Sequence, residues 1–246
     1  MSIRLNQTFN IEEISVTPAA IERVLDRAEA AVSAGQTLQG TGFWKAVGAA
    51  RRDVTLADRY AERIAVIDRR AFENGVQLRV PAGVGTALLA GASGAGVAAL
   101  LLAGGVDNKL ARSLLFLGAL GALEVGTHSL AHWAVGRAMG MRFTHYFLGG
   151  PPPPRPGAKL DYATYLRVAP TRRAVMHASG AVVTKIVPFA LIPVARSLDL
   201  SAWVVYLLVV LGAGQIVTDV LLSTKSSDWK KVKRELKAAK GWSRPG

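Results

Sequence analysis

The sequence predicts an all-α membrane protein with about four transmembrane helices, and three observations support this fold class. Half of the 246 residues are hydrophobic and only 19% are charged. The mean hydropathy is +0.27, which is high for a chain with a formal charge of +13. The apolar residues lie in four long blocks, at about 80–106, 111–136, 174–195 and 200–223. Since about 20 apolar residues cross the hydrocarbon core of a bilayer, we expect the lipid bilayer as a partner.

The composition also excludes several classes of protein. The chain contains no cysteine, which excludes a disulfide scaffold and a cysteine-ligated zinc or iron–sulfur centre. Its hydrophobic content excludes a disordered chain. A charge of +13 is common in nucleic-acid-binding proteins, but membrane proteins also collect Lys and Arg in their cytoplasmic loops. We therefore expect no nucleic-acid partner.

Residues 1–79 precede the first apolar block and form a cytoplasmic region of their own. Eleven Lys and Arg residues nearly balance ten Asp and Glu residues there. Thr17 and Pro18 predict a helix start, with a capping hydroxyl before a proline in the first turn. An apolar helical stripe follows as far as Gly35, and a second amphipathic helix is predicted at about 55–74. We expect this helical arm to pack on itself, on the membrane surface or on a partner.

The transmembrane domain, residues 80–224, contains a long loop at 140–173 and is followed by a basic tail at 225–246. Most of the remaining positive charge lies in this loop and in this tail. Because Lys and Arg are enriched in cytoplasmic segments, we expect both termini to be cytoplasmic, in agreement with an even number of spans. No targeting segment is evident, so we expect a bacterial inner membrane. The tail carries Trp229 and Trp242 among its lysines, which predicts contact with anionic lipid.

Two segments of the long loop have local signals. Residues 141–148 are rich in β-forming side chains and predict a short strand or hairpin arm at the cytoplasmic side of the bundle. The run PPPPRPG at 151–157 cannot continue a helix. This run predicts a stiff extended connector or, alternatively, a proline-rich ligand motif.

Several ionisable residues lie inside the predicted spans, where each costs roughly 2.5–3.5 kcal/mol on insertion scales. His128 and His132 are four residues apart, so both imidazoles lie on one helix face and can reach one metal ion. The alternative is a pair of histidines bonded to carbonyl groups near the interface. Asp219 is expected at the same depth, which would complete a tetrahedral zinc site with an open fourth position. An ion pair of Asp219 with Lys225 or Lys230 is the alternative.

The order of three short motifs points to a known family. HSLAH at 128–132 is followed by a segment that ends in FLGGP at 147–151. This arrangement resembles the zinc-binding helix and the following strand of site-2 protease-type intramembrane metalloproteases, whose helix carries His-Glu-x-x-His. Two weaker matches follow in the family's order. The segment 172–184 resembles its Ala-Gly-Pro-x-x-Asn helix, and GQIVTD at 214–219 resembles the segment that carries its third ligand, an Asp.

The resemblance implies a Zn²⁺ ion held by His128, His132 and Asp219, and a substrate groove that includes Phe147 and Thr184. It also implies a loss of activity, because Ser129 stands where the family has its general base, a Glu. Loss of a positioned acid–base group typically costs ~10²–10⁴-fold in rate. We therefore assign no catalytic residue and expect a zinc-binding pseudoprotease that binds or scaffolds a membrane protein partner.

Two alternative functions remain open. Glu124 lies one turn before His128 and could act as a relocated base, which would make the chain an active zinc protease. A structural ion pair between Glu124 and Lys185 in the third span is the other interpretation of these two residues. Intramembrane histidines also fit a haem- or pigment-associated subunit of a larger complex. We do not expect His145, in the predicted strand, or His177, at the surface end of the third span, to be ligands.

Overall fold

The computed structural model describes residues 17–149, 154–221 and 227–242, which form nine helices and one three-stranded sheet. In chain order the elements are α1 (Pro18–Ser33), α2 (Phe43–Ala50), α3 (Val54–Gly75), β1 (Arg79–Pro81), α4 (Ala82–Ala103), α5 (Lys109–Ala138), β2 (Phe143–Gly149), β3 (Arg155–Leu160), α6 (Tyr162–Tyr165), α7 (Pro170–Ser197), α8 (Ala202–Leu221) and α9 (Asp228–Ala239). The predicted fold class is confirmed, and the small sheet is its one β-element within the described residues.

Helices α4, α5, α7 and α8 are long and apolar enough to cross a membrane, which confirms the four predicted spans. Many of their large apolar side chains are exposed on the surface of the bundle, as expected of helices that lipid surrounds. Helices α5 and α7, with 30 and 28 residues, are longer than the hydrocarbon core requires and extend beyond it. The sheet, α1–α3 and α9 all connect to one side of the four-helix bundle, which we call the sheet side.

Helices α4 and α5 approach each other through small residues. A Cβ atom at Gly126 would lie 3.0 Å from the carbonyl oxygen of Leu89 and 3.4 Å from Cβ of Ser93. A Cβ atom at Gly96 would lie 3.1 Å from the carbonyl oxygen of Ala119. Lipid tails are as apolar as the side chains, so membrane helices associate through this kind of close packing.

The N-terminal helices form a core on the sheet side. The side chain of Thr17 accepts a hydrogen bond from the amide of Ala20, which confirms the predicted start of α1. The predicted apolar stripe of α1 is buried against α3, at Ile21, Leu25, Ala28 and Val32. Helix α3 confirms the second predicted helix. Helix α2 was not predicted, since its eight residues are too few for a clear periodic signal.

This core also includes residues from the long loop and from α7. Met141, Leu166 and Met176 are buried in the same cluster as the apolar faces of α1, α2 and α3. The arm expected at 1–79 is therefore packed against the start of α7, and residues 1–16 of it lie outside the described part of the chain.

The sheet is antiparallel in the order β1-β2-β3. The central strand, β2, confirms the predicted strand. Phe147 of β2 pairs with Gly157 of β3, where a Cβ atom would lie 2.7 Å from Cζ of the Phe147 ring. Residues 151–153 of the predicted proline-rich connector lie outside the described residues, whereas 155–157 begin β3 instead of continuing a polyproline segment.

The C-terminal tail forms a packed helix. Ser227 caps α9, and the face with Val232, Glu235 and Ala238 is buried. The opposite face is basic and exposed, with Lys230 and Lys233 among its residues. Contact between that outer face and an anionic leaflet stays a prediction.

We expect Gly126→Ala to destabilise the bundle, because the added methyl group meets a backbone carbonyl of α4 and overpacking typically costs about 1–3 kcal/mol. Gly121→Ala is the control on the same helix, since its Cβ would meet no atom within 4 Å. Thermal unfolding in neutral detergent measures both variants. Equal melting temperatures for the two variants would contradict the close α4–α5 contact.

Candidate metal centre

Two histidines of α5 and one aspartate of α9 meet on the sheet side of the bundle. The ring centroids of His128 and His132 are 4.8 Å apart, and the rings are nearly perpendicular, at 89°. Asp228 Oδ2 lies 3.2 Å from Nε2 of His132 and 3.6 Å from Nε2 of His128. These three residues can hold a metal ion, since one ligand atom from each lies within 4.8 Å of the others.

His132 is fixed by its contact with α7. Its Nδ1 lies 2.7 Å from the carbonyl oxygen of Met176, which can only accept, so Nδ1 carries a proton and donates it. The ring lies against Gly180, where a Cβ atom would be 2.6 Å from Cδ2 of the imidazole. Only glycine at this position lets the ring reach the carbonyl. In the neutral imidazole, Nε2 then carries a lone pair that faces Asp228.

His128 is oriented in the same way by Thr184. Its Nδ1 lies 2.7 Å from the Thr184 hydroxyl, which donates its single proton to the carbonyl oxygen of Gly180 at 2.8 Å. The hydroxyl oxygen therefore accepts the proton of Nδ1. The Nε2 atom of neutral His128 is left with a lone pair on the side of Asp228.

Two lone pairs and a carboxylate that face one another repel unless a proton or a metal ion lies among them. Ligand atoms at 2.0–2.1 Å from a tetrahedral ion stand about 3.3 Å apart, close to the 3.2 and 3.6 Å found for Asp228. The bonds to Met176 and Thr184 resemble the outer hydrogen bonds that usually fix metal-ligating histidines. The three residues can therefore hold a metal ion.

Asp228 lies in the first turn of α9, where the helix dipole favours a negative charge. Burial raises the pKa of its carboxyl group, but a proton on Nε2 of His132, when that imidazole is charged, and the ammonium of Lys231 outweigh burial and hold the pKa below its ordinary value. Lys231 donates to Oδ1 at 2.9 Å, which leaves Oδ2 for the histidines. Asp228 is thus a carboxylate available to a metal ion.

The structure places Asp228 where the sequence predicted Asp219. The carboxylate of Asp219 contacts the ammonium of Lys185 and accepts a hydrogen bond from Trp229 Nε1 at 2.9 Å. Asp219 thus pairs with Lys185 and not with the predicted Lys230, and Lys225 lies outside the described residues. Sequence reasoning missed Asp228 because 225–246 was interpreted as a surface tail. A signal in the sequence could have indicated a helix here: Ser227 is a typical N-cap residue, and Asp228 follows it in the first turn of α9.

The predicted ion pair between Glu124 and Lys185 is wrong. Because Cβ atoms tilt toward the start of a helix, the Lys185 side chain extends back along α7 and donates to the carbonyl of Ala181 at 3.0 Å. Its ammonium therefore lies beside Asp219 and not beside Glu124. Glu124 instead accepts a hydrogen bond from Gln215 at 3.3 Å, and its Oε1 atom has no hydrogen-bond partner.

A cavity of about 860 Å³ opens beside the two histidines. Its wall includes the remaining residues that the sequence singled out as groove or base candidates, which are Glu124, Ser129, Phe147 and Thr184. Apolar side chains from α4, α5 and β2 line much of the rest. The volume falls in the range of sites for small ligands.

A buried ionic network holds α9 in place. Glu235 of α9 is fully buried, and its carboxylate lies 3.2 Å from Arg51, 3.1 Å from Arg173 and 3.3 Å from Arg234. The hydroxyl of Tyr165 donates to it at 2.9 Å. Arg51 ends α2, Arg173 lies in the first turn of α7 and Tyr165 belongs to α6. The network therefore joins three helices, α2, α6 and α7, to α9, which carries Asp228.

His177, which the sequence placed at the membrane surface, is buried in this network. Its Nε2 lies 2.9 Å from the hydroxyl of Tyr165. That hydroxyl gives its proton to Glu235, so it accepts from Nε2 of His177. Burial raises the pKa of Tyr165, as does the charge of Glu235, so the phenol stays protonated.

The case for a metal centre rests on geometry within this chain. Comparisons with protein-family models, with curated proteins and with solved structures found no match. Membership of the site-2 protease family therefore stays a prediction, which the HSLAH and FLGGP segments motivate.

We expect Glu235→Gln to destabilise the protein strongly. The substitution removes the carboxylate that faces three guanidinium groups, and breaking a buried ion pair typically costs about 3–5 kcal/mol. Glu73→Gln is the control, because Glu73 is an exposed residue of α3. Thermal unfolding and hydrogen exchange of α9 measure the effect. If Glu235→Gln melts like the control, the network does not hold α9.

Proposed function

We propose that this integral membrane protein is a site-2 protease-like pseudoprotease that binds Zn²⁺ through His128, His132 and Asp228. The observation that carries the proposal is the convergence of two imidazole Nε2 atoms on one carboxylate, with both Nδ1 protons donated elsewhere. Two imidazoles, one carboxylate and an open position match the ligand set of many zinc sites. The neighbouring cavity gives a membrane partner access to that open position.

The proposed role is binding rather than cleavage. Zinc at such a site supplies a Lewis acid and lowers the pKa of a bound water. Proton removal from that water still needs a base, and a serine hydroxyl at position 129 cannot supply one near neutral pH. The chain therefore keeps the means to hold a ligand beside the metal and lacks the group that would cut it.

One observation favours a second candidate, an active protease with a relocated base. Glu124 lines the cavity one turn before His128, and its Oε1 atom has no hydrogen-bond partner. A free carboxylate oxygen on the cavity wall is a possible proton acceptor. The haem alternative has weaker support, because Asp228 Oδ2, 3.2 Å from Nε2 of His132, lies where a haem iron would bind.

We further propose that the sheet side is cytoplasmic and that the membrane is a bacterial inner membrane. The tail from Lys225 carries eight Lys and Arg residues against two acids, and the long loop is also basic. On the other side, Lys109 is paired with Asp199 at 2.7 Å, so the short connections there add little positive charge. The positive-inside tendency then supports this orientation.

We expect the purified wild-type protein to bind about one zinc ion per chain. Asp228→Asn should weaken zinc binding at least about tenfold, whereas Asp219→Asn should leave it unchanged, because Asp219 faces Lys185. Thr184→Val should weaken it about 10–100-fold through loss of the bond to His128. Metal analysis and competition with a chromophoric chelator measure all three.

Equal zinc loss in the two aspartate variants would contradict the assignment of Asp228. A wild-type protein with a visible absorption band and no zinc would instead support the haem or pigment alternative.

We expect no cleavage of a transmembrane reporter substrate by the wild type, and zinc-dependent cleavage by Ser129→Glu, since that variant restores a proton acceptor beside the metal site. Gel analysis of the reporter in detergent measures both. Cleavage by the wild type that is lost in Glu124→Gln would overturn the pseudoprotease proposal in favour of the relocated base.

A further inference from the structure

We propose that the cavity beside the metal residues binds an anionic lipid through its phosphate headgroup. The headgroup would meet Arg51, Lys231 and Arg234, and the acyl chains would follow the apolar wall toward the bilayer. The inference deepens the proposed function, since it names the chemical class of partner that the same cavity takes.

Positive charge is in excess next to the cavity. Three guanidinium groups, of Arg51, Arg173 and Arg234, share the single carboxylate of Glu235. In the described part of the chain they contact no other carboxylate. Arg173 is fully buried, and its Nη1 atom has no hydrogen-bond acceptor. Cations removed from water need counter-ions, so this cluster attracts an anion.

Part of this positive charge faces the cavity. Arg51 and Arg234 lie on its wall, together with Lys231. Two acids also line the cavity. Asp228 is already engaged by Lys231 and by the histidines, and Glu124 lies one turn further along α5, away from α9. The end of the cavity nearest to α9 is therefore cationic.

The cavity opens between apolar side chains of two helices that are long and apolar enough to cross a membrane, α4 and α5. Leu88 of α4 and Val125 of α5 line the cavity and are 65% and 67% exposed, so the cavity is open to its surroundings at these two apolar side chains. Phe143, Tyr146 and Phe147 of β2 continue the apolar wall. One ligand that uses both ends must be apolar along its length and anionic at its tip.

An anionic lipid satisfies both ends. A zwitterionic lipid brings no net charge to the guanidinium cluster, and inorganic phosphate leaves the apolar wall without a ligand. An apolar transmembrane peptide fills the wall but leaves the cluster without a counter-ion. Charge-assisted bonds between Arg and phosphate are the strongest available contacts here, because guanidinium groups bind phosphate oxygens in pairs.

The test uses the full-length protein, purified in a zinc-containing buffer and a neutral detergent, and calorimetric titration with three compounds. These are dihexanoyl phosphatidic acid, dihexanoyl phosphatidylcholine and inorganic phosphate. We expect the phosphatidic acid to bind at least about tenfold more tightly than either of the others, since one charge-assisted contact is worth about that factor.

Two pairs of variants locate the site. Arg234→Gln should weaken phosphatidic acid binding about tenfold, and Lys233→Gln should not, because Lys233 is exposed on α9 and away from the cavity wall. Arg234→Lys keeps the charge next to Glu235 and should retain most of the preference for phosphatidic acid over phosphatidylcholine.

Val125→Trp should narrow the apolar entry of the cavity and weaken lipid binding, whereas Leu114→Trp, on the exposed surface of α5, should not.

Three results would overturn the inference: equal affinity for phosphatidylcholine, equal affinity for inorganic phosphate, or equal effects of Arg234→Gln and Lys233→Gln. Displacement of the lipid by a transmembrane peptide with an acidic end, at lower concentration than phosphatidic acid needs, would assign the site to a protein partner. Zinc content, measured on the same samples, separates the two proposals. Normal zinc with no lipid preference rejects only the lipid, and absent zinc rejects only the metal site.

Discussion

The docking of α9 against α7 is the constraint on which the candidate site depends. Glu235 draws three guanidinium groups around one buried carboxylate, and these groups come from α2, α7 and α9 itself. Since a buried carboxylate without its partners is costly, α9 has one favourable position. In that position its first residue, Asp228, meets the histidines of α5. The N-terminal helices thus help to position α9 beside the histidines of α5, although none of their residues belongs to the group of metal-binding candidates.

Local patterns were sufficient for much of the fold. Long apolar blocks predict the four spans, the Thr17-Pro18 pair predicts the start of α1, and β-forming residues predict β2. These features depend on residues close together in the chain. The same holds for His128 and His132, which share a face because of helix geometry alone. Their spacing predicts two of the three candidate ligands without any tertiary contact.

The features of the fold and of the candidate site that local patterns did not predict depend on contacts between distant segments. Asp228 is 96 residues from His132, and the packing of α9 against α7, which includes the network at Glu235, brings the two together. The partner of Lys185 could not be derived from depth, because the direction of its side chain along α7 decides between Glu124 and Asp219. Strand β3 also depends on a tertiary contact, because its pairing with β2 overrides the polyproline preference of 155–157. Equal depth in a membrane is a weak criterion for predicting which residues form an ion pair, because a lysine side chain spans more than one helical turn.

A hydrolytic zinc site has to hold a metal ion and also to move a proton. The orientation of the two histidines serves the first of these requirements. Holding a cation requires Nε2 lone pairs, fixed rings and a carboxylate, and these are present through Met176, Thr184 and Asp228. Moving a proton requires a base beside the open position, where this chain has Ser129. The cationic end of the cavity adds a third property, because guanidinium groups there favour an anion that stays bound. Retention of a charged ligand beside a metal ion is thus the chemistry that these three features support together.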